Sequence, residues 1–228
     1  MSTTTAAPAS TDPRADLPDS LRPITAMHDA MRRDARRFRA ALDRRPDTET
    51  AERLRVWFER ITGVIVHHHR CEDEILWPAI EQWVPDFVET AGHLVDDHHA
   101  LDIALADVDR TLGRLANRDG DGPTDADHQA ASDALAAFED VLDRHLTAEE
   151  ATVLPAIRDV VPAEAFARTE EEINRTGTFG LAAFALPWVL DDADPRSAEL
   201  ILGGLPLPFR LLHRWVWARR YARASMLG

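Results

Sequence analysis

The chain has 228 residues, 26 of them basic and 40 acidic, for a formal net charge of −14. Its 45% hydrophobic content is enough for a core and excludes global disorder. The acidic balance excludes broad phosphate-backbone binding, so no nucleic-acid partner is expected.

Residues 1–19 are rich in Ser, Thr, Ala, Pro and Asp and are expected to form a disordered tail. They lack the basic start and apolar centre of a secretory signal. The single cysteine, Cys71, excludes an internal disulfide framework and fits a reducing cytoplasm. The longest apolar run, Phe179 to Leu190, is twelve residues long and contains Pro187. A membrane-spanning helix needs about 20, so no transmembrane segment is expected.

Helical periodicity dominates from Ile24 to about Val160. In the first segment Ile24, His28, Met31, Ala35, Phe38 and Leu42 fall at alternating steps of four and three, one stripe on a helix. Pro46 breaks it. The second stripe is Leu54, Trp57, Ile61, Ile65, His68, Glu72 and Ile75, followed by Pro78 and a break at Pro85-Asp86. The third is Leu94, His98, Leu101, Leu105, Val108, Leu112 and Leu115, ending in a polar, glycine-containing break over residues 117–123. The fourth is Leu135, Phe138, Leu142, His145, Glu149 and Thr152, with Pro155 beyond it.

Four helices joined by short breaks predict an all-α, up-down-up-down four-helix bundle over residues 20–161. Residues 163–176 read as a short charged helix closed by Gly177. The rest of residues 162–228 is a helical C-terminal extension, with five arginines and no acid among its last nineteen residues. A protein partner could dock there.

The four segments repeat in pairs: HHRCEDEILWPAI aligns with HLTAEEATVLPAI, with proline ten residues after His68 and after His145. This predicts two helix hairpins related by a pseudo-twofold axis.

Inward stripes of a bundle are normally apolar, yet each of these carries a histidine and two add a glutamate one turn later. A buried, unpartnered carboxylate costs several kcal/mol or is driven to its neutral form. Four imidazoles and two carboxylates meeting at one level resolve that cost if cations lie between them. Such donors suit iron, manganese or zinc, and the absence of thiolates argues against copper(I) or iron–sulfur clusters.

The order His28, His68-x3-Glu72, His98, His145-x3-Glu149 resembles the hemerythrin-like family, also described as the HHE cation-binding domain, over about residues 20–160. The resemblance implies a non-haem, carboxylate-bridged di-iron centre. One iron would sit on His28 and His68, the other on His98 and His145, with Glu72 and Glu149 bridging. Manganese or zinc rank after iron. The ligands implied are small oxidants (O2, NO or peroxide), bound or turned over, with catalase-like peroxide dismutation or NO handling ranked ahead of oxygen carriage. A metal-dependent sensor or regulator, or an iron-binding protein without turnover, is the alternative. Oxygen carriers of the family have a further histidine one turn after the third-helix ligand. Asp102 stands there, and Arg32 at the first-helix equivalent, which implies an open coordination position.

His67 and His69 flank His68 and are expected to face neighbouring helices or solvent. A small change of helix phase would exchange His98 with His99, and Glu150 is an alternative to Glu149. His93, His128 and His213 read as surface or outer residues, and Cys71 as a small buried one. The aspartates around Asp119, Asp121, Asp125 and Asp127 fail calcium-loop spacing and read as a solvated loop. Trp215, Trp217 and Tyr221 lie among Arg210, Arg214, Arg219, Arg220 and Arg223. They read as covering the bundle while the arginines offset its acidity; binding of an anionic membrane surface or of nucleic acid is the alternative.

Overall fold

The structure, a computed structural model, describes residue 14 and residues 16–117 and 122–225. Most of the expected tail, and residues 118–121 of the third break, lie outside the described residues. The described residues form helices joined by short turns, without a strand.

Helix α1 spans Arg22–Asp43, with Pro23 in its first turn, where a missing N–H costs nothing. Helix α2, Thr48–Cys71, starts where the Asp47 side chain accepts the Thr50 N–H at 2.8 Å. It runs directly into a π turn, Glu72–Leu76, in which the Trp77 N–H bonds to the Glu72 carbonyl. Short helices α3 (Trp77–Glu81) and α4 (Phe87–Thr90) lead to α5, Gly92–Leu115. Helix α6, Asp125–Asp159, opens with a capping box between Thr124 and Asp127.

The four long helices α1, α2, α5 and α6 are those the stripes predict. Along α1, His28, Arg32 and Arg39 bond in turn to Glu150, Asp143 and Glu139 of α6, so these two run antiparallel. Arg55 approaches Asp109 while His69 stacks on His98, which sets α2 antiparallel to α5. His28 meets the His68 ring and Trp57 bonds to Asp34, which does the same for α1 and α2. Helix α5 packs along α6.

Pro78 lies just past the π turn. Proline offers no N–H and its ring crowds the carbonyl four residues back, here that of Glu74, so a widened turn relieves both constraints. The extra residue shifts the inward register by one. Ile75, expected in the stripe, is only half-buried, whereas Leu76, Trp77 and Ile80 are fully inside.

Two apolar layers result. The larger gathers Met31, Phe38, Phe58, Ile65, Leu101, Leu112, Leu135 and Leu146 from all four long helices. The smaller gathers Leu21, Trp77, Ile80, Leu94, Val153 and Phe166 at the other end. Between them lies the level of His28, His68, His98 and His145, a polar layer closed above and below by hydrocarbon.

Beyond the bundle come α7 (Ala163–Thr176), α8 (Phe179–Leu190), α9 (Pro195–Gly204) and α10 (Leu207–Leu212), then a second π turn (His213–Trp217) and α11 (Ala218–Ala224). Helices α8 and α9 pack on α1. The junction is polar at its centre. Buried Asp34 accepts the Trp188 indole N–H at 2.9 Å, the Trp57 indole N–H at 3.3 Å and the Arg33 Nε–H at 2.9 Å. The Tyr221 hydroxyl donates to Asp191 at 3.0 Å. Tyr221 covers the bundle as expected, packing on Trp57 of α2, whereas Trp217 is buried against Phe179 and Phe209 of the extension and Trp215 is 52% exposed.

Candidate metal centre

Each long helix contributes to the polar layer. The candidate ligand atoms fall into two overlapping groups, within each of which all atoms lie within 4.8 Å of one another. One comprises His28, His68, Glu72 and Glu149; the other comprises His69, Glu72, His98 and His145. Glu72 belongs to both. Glu149 Oε2 lies 3.4 Å from His28 Nε2 and 3.6 Å from His145 Nε2. Glu72 mirrors it, 3.0 Å from His68 Nε2 and 3.4 Å from His98 Nε2. The pseudo-twofold relation of the two sequence hairpins is thus present in the side-chain contacts.

Among the described residues, the Nε2 atoms of His28, His68, His98 and His145, both ring nitrogens of His69 and the carboxylate oxygens of Glu72 and Glu149 are buried without a well-directed hydrogen-bond partner, and the two carboxyls face each other. The close His–Glu approaches above lack hydrogen-bond direction. Buried polar groups are ordinarily satisfied, and such a concentration of converging lone pairs suits cations. The donor set of imidazole and carboxylate fits a transition metal.

Electrostatics agree. Burial pushes the Glu72 and Glu149 carboxyls up to about 8, helped at Glu149 by its neighbour Glu72. Burial, and then adjacent imidazoles, holds His68 well below its ordinary range and His145 down at about 3; His69 is lowered for the same reasons. Without a cation, burial therefore favours neutral rings at His68, His69 and His145 and protonated carboxyls at Glu72 and Glu149.

The outer nitrogens are oriented by carboxylates. His28 Nδ1–H donates to Glu150 Oε1 at 2.9 Å, and His98 Nδ1–H to Asp73 Oδ1 at 3.0 Å. Since an ionised carboxylate only accepts, each contact fixes the tautomer and turns the Nε2 lone pair inward. Glu150 also accepts from Arg14 at 2.6 Å and Arg32 at 2.7 Å. Burial opposes its charge, but the hydrogen bonds from His28, Arg14 and Arg32 hold its carboxyl well below the usual range. In each hairpin, then, one acid faces the layer and the next in sequence supports a histidine: Glu72-Asp73 and Glu149-Glu150.

The structure brings together His28, His68, Glu72, His98, His145 and Glu149. His98 is buried while His99 is exposed, and Glu150 lies outside the two groups. It corrects the reading of His69, which is 4% exposed and inside the layer. At about 100° per residue, Glu72 lies about 40° from His68 and about 60° from His69, so it sits between them and both face inward. The adjacent pair followed by Glu72 carried that signal. His67 does turn away, its Nδ1 3.1 Å from Cys71 Sγ and its Nε2 3.4 Å from the Thr176 hydroxyl.

Asp102 also requires correction. It is exposed, lining a surface groove of about 450 Å³ with Glu59, Thr62, Val66 and Asp109, and belongs to neither group. The fifth histidine of the layer, His69, lies on α2, and none stands at the Asp102 position of α5. Arg32 bonds to Glu150 and Asp143.

Comparison with known proteins accords with this geometry. A family model, the hemerythrin HHE cation binding domain, matches residues 19–157. The chain belongs to the hemerythrin HHE cation-binding family. Neither the curated proteins nor the solved structures compared with it gave a match. The matched span of this hemerythrin-like chain covers α1 through α6 almost to its end, and so includes every residue of the polar layer. The segment from α7 onward lies beyond it.

Proposed function

We propose that the layer holds two non-haem iron ions and binds small oxidants: O2, NO or peroxide. His28, His68, Glu72 and Glu149 would hold one ion and His69, His98, His145 and Glu72 the other, with Glu149 placed to reach both. The observation that carries this reading is the set of buried, unpartnered donor atoms falling into two groups that share Glu72. Bound iron supplies redox chemistry toward a small ligand. The protein's part is to present five imidazole lone pairs, to hold His28 and His98 through Glu150 and Asp73, and to exclude bulk water with two apolar layers. The tight cover favours small ligands. The His28 and His145 side chains are fully enclosed, and His68, with 15% of its side chain exposed, marks the thinnest cover.

Metal analysis and the visible spectrum of protein from iron-supplemented cells test this. Two irons per chain with charge-transfer absorption is the expected result; one ion, or zinc in place of iron, overturns it.

One contact favours a second reading, a metal-dependent regulator without turnover. Thr176, at the end of α7, contacts Cys71 and His67, which adjoin Glu72 and His68. Occupancy of the layer could therefore be felt in the extension. Repeated consumption of peroxide or NO by the iron-loaded protein supports an enzyme; a single reaction per site supports the regulator.

A further inference from the structure

The segment from α10 through the second π turn to α11 is one continuous helical arm, and its outward side is unlike the rest of the molecule. Leu207, Leu211 and Trp215, spaced four residues apart, form a stripe along it, exposed by 63%, 49% and 52%. Trp217 and Tyr221 on the opposite side are buried, so the arm is held in place by one face while the other is bare. The bare stripe is flanked by cations. The Arg214 and Arg219 guanidinium carbons lie 5.2 and 5.1 Å from the Trp215 ring centroid, so they bracket the indole. Residues 200–228 contain five arginines and no acid, in a chain whose net charge is −14.

From this juxtaposition we infer that the arm is a docking surface for an anionic phospholipid bilayer, lying in the plane of the interface with Leu207 and Leu211 at the acyl boundary and Trp215 at the level of the headgroups. Single exposed apolar residues are ordinary on soluble proteins, but an aliphatic–indole stripe edged solely by arginine is the pattern of interfacial helices. Tryptophan settles at headgroup depth, and guanidinium pairs bidentately with lipid phosphate. The local charge, rather than the net charge, decides the approach, because potentials are screened within about 8 Å at physiological salt. Leucines at the centre of the stripe offer a nucleic acid neither stacking nor hydrogen bonds, which separates this surface from a polyanion groove. The inference rests on the arm alone and is independent of which metal the bundle holds.

Co-sedimentation of the full chain with vesicles tests it. The expected result is pelleting with phosphatidylcholine vesicles containing phosphatidylglycerol, little with phosphatidylcholine alone, and weakening at high salt. Arg214→Glu with Arg219→Glu should lower partitioning at least about tenfold. A vesicle-induced blue shift of tryptophan emission should be lost in Trp215→Phe, a change at an exposed ring that leaves the thermal melt unaltered. No pelleting with anionic vesicles at low salt overturns the inference, as does equal pelleting by the charge-reversed variant. Self-association by light scattering that the same substitutions abolish, without vesicle binding, would assign the stripe to a second copy of the chain. Retention on RNA or DNA without vesicle binding would likewise overturn it.

Discussion

The His69 ring lies stacked on that of His98, with centroids 4.2 Å apart and planes 10° from parallel. His69 also meets His145 edge-on at 5.3 Å, so α5 and α6 both converge on one imidazole from α2. Two successive histidines of one helix therefore serve different groups, His68 the one with His28 and His69 the one with His98.

That division makes adjacent residues distinguishable by substitution. His69→Ala is expected to lower bound metal toward one ion per chain, whereas His67→Ala, which removes a ring directed at Cys71 and Thr176, should leave the stoichiometry unchanged. Metal content by elemental analysis of purified variants checks this; equal loss from both would contradict the assignment of His69.

Asp73 and Glu150 act through His98 and His28. Asp73→Asn or Glu150→Gln should weaken metal affinity about 10- to 100-fold, the usual consequence of losing an acceptor behind a ligating imidazole. Competition with a chromogenic chelator reads the affinity directly. Glu150→Gln should have the larger effect, because it also removes the charged partner of Arg14 and Arg32.

Asp102→His should not alter metal stoichiometry or the visible spectrum, since Asp102 lines the exposed groove between α2 and α5 and lies in neither ligand group. A new or shifted charge-transfer band in this variant would place the third-helix position inside the coordination sphere after all.

The metal-free protein should lose stability as pH rises from about 6.5 to about 8. Glu72 and Glu149 titrate near 8 when folded, against an ordinary value of 4.5, so the folded state binds the extra protons and their contribution fades as pH climbs through 8. His68 and His145 act oppositely, being depressed when folded. Their contribution is complete above 6.5 and is lost as pH falls, for His145 down to about 3. Only the carboxyls therefore operate between 6.5 and 8. Thermal melts across this window should show the decline, and it should vanish in Glu72→Gln with Glu149→Gln. Metal uptake near neutral pH should also release protons, which calorimetry in two buffers of different ionisation enthalpy would detect.

Asp34→Ala should destabilise the protein by about 3–5 kcal/mol, because it leaves two indole N–H groups unpartnered and removes the buried carboxylate that faces Arg33 and Arg37 in the junction between bundle and extension. Chemical denaturation measures the loss, and limited proteolysis should show α8 and α11 cleaved ahead of α1.

Local pattern carried much of this protein. Apolar residues at steps of three and four suffice for α1, α2, α5 and α6, because a helix's burial periodicity is written in its own sequence. Histidines and glutamates interrupting those stripes at matched positions were enough to mark a cation layer and the family. What the spacing could not decide is how each helix is rotated about its axis, since that depends on neighbours distant in sequence. Rotation places Glu72 inward between His68 and His69, admitting a histidine that a single-stripe reading turned outward. It also leaves Asp102 on the surface and makes Glu150 the support of His28 instead of a ligand. The π turn before Pro78 was equally invisible to a fixed 3.6-residue period, and it moved the inward register from Ile75 to Leu76. The exposure of Trp215 beside buried Trp217 belongs to the same class. Composition placed aromatics among arginines there, but only packing of the arm against α8 and the bundle determined which ring is covered.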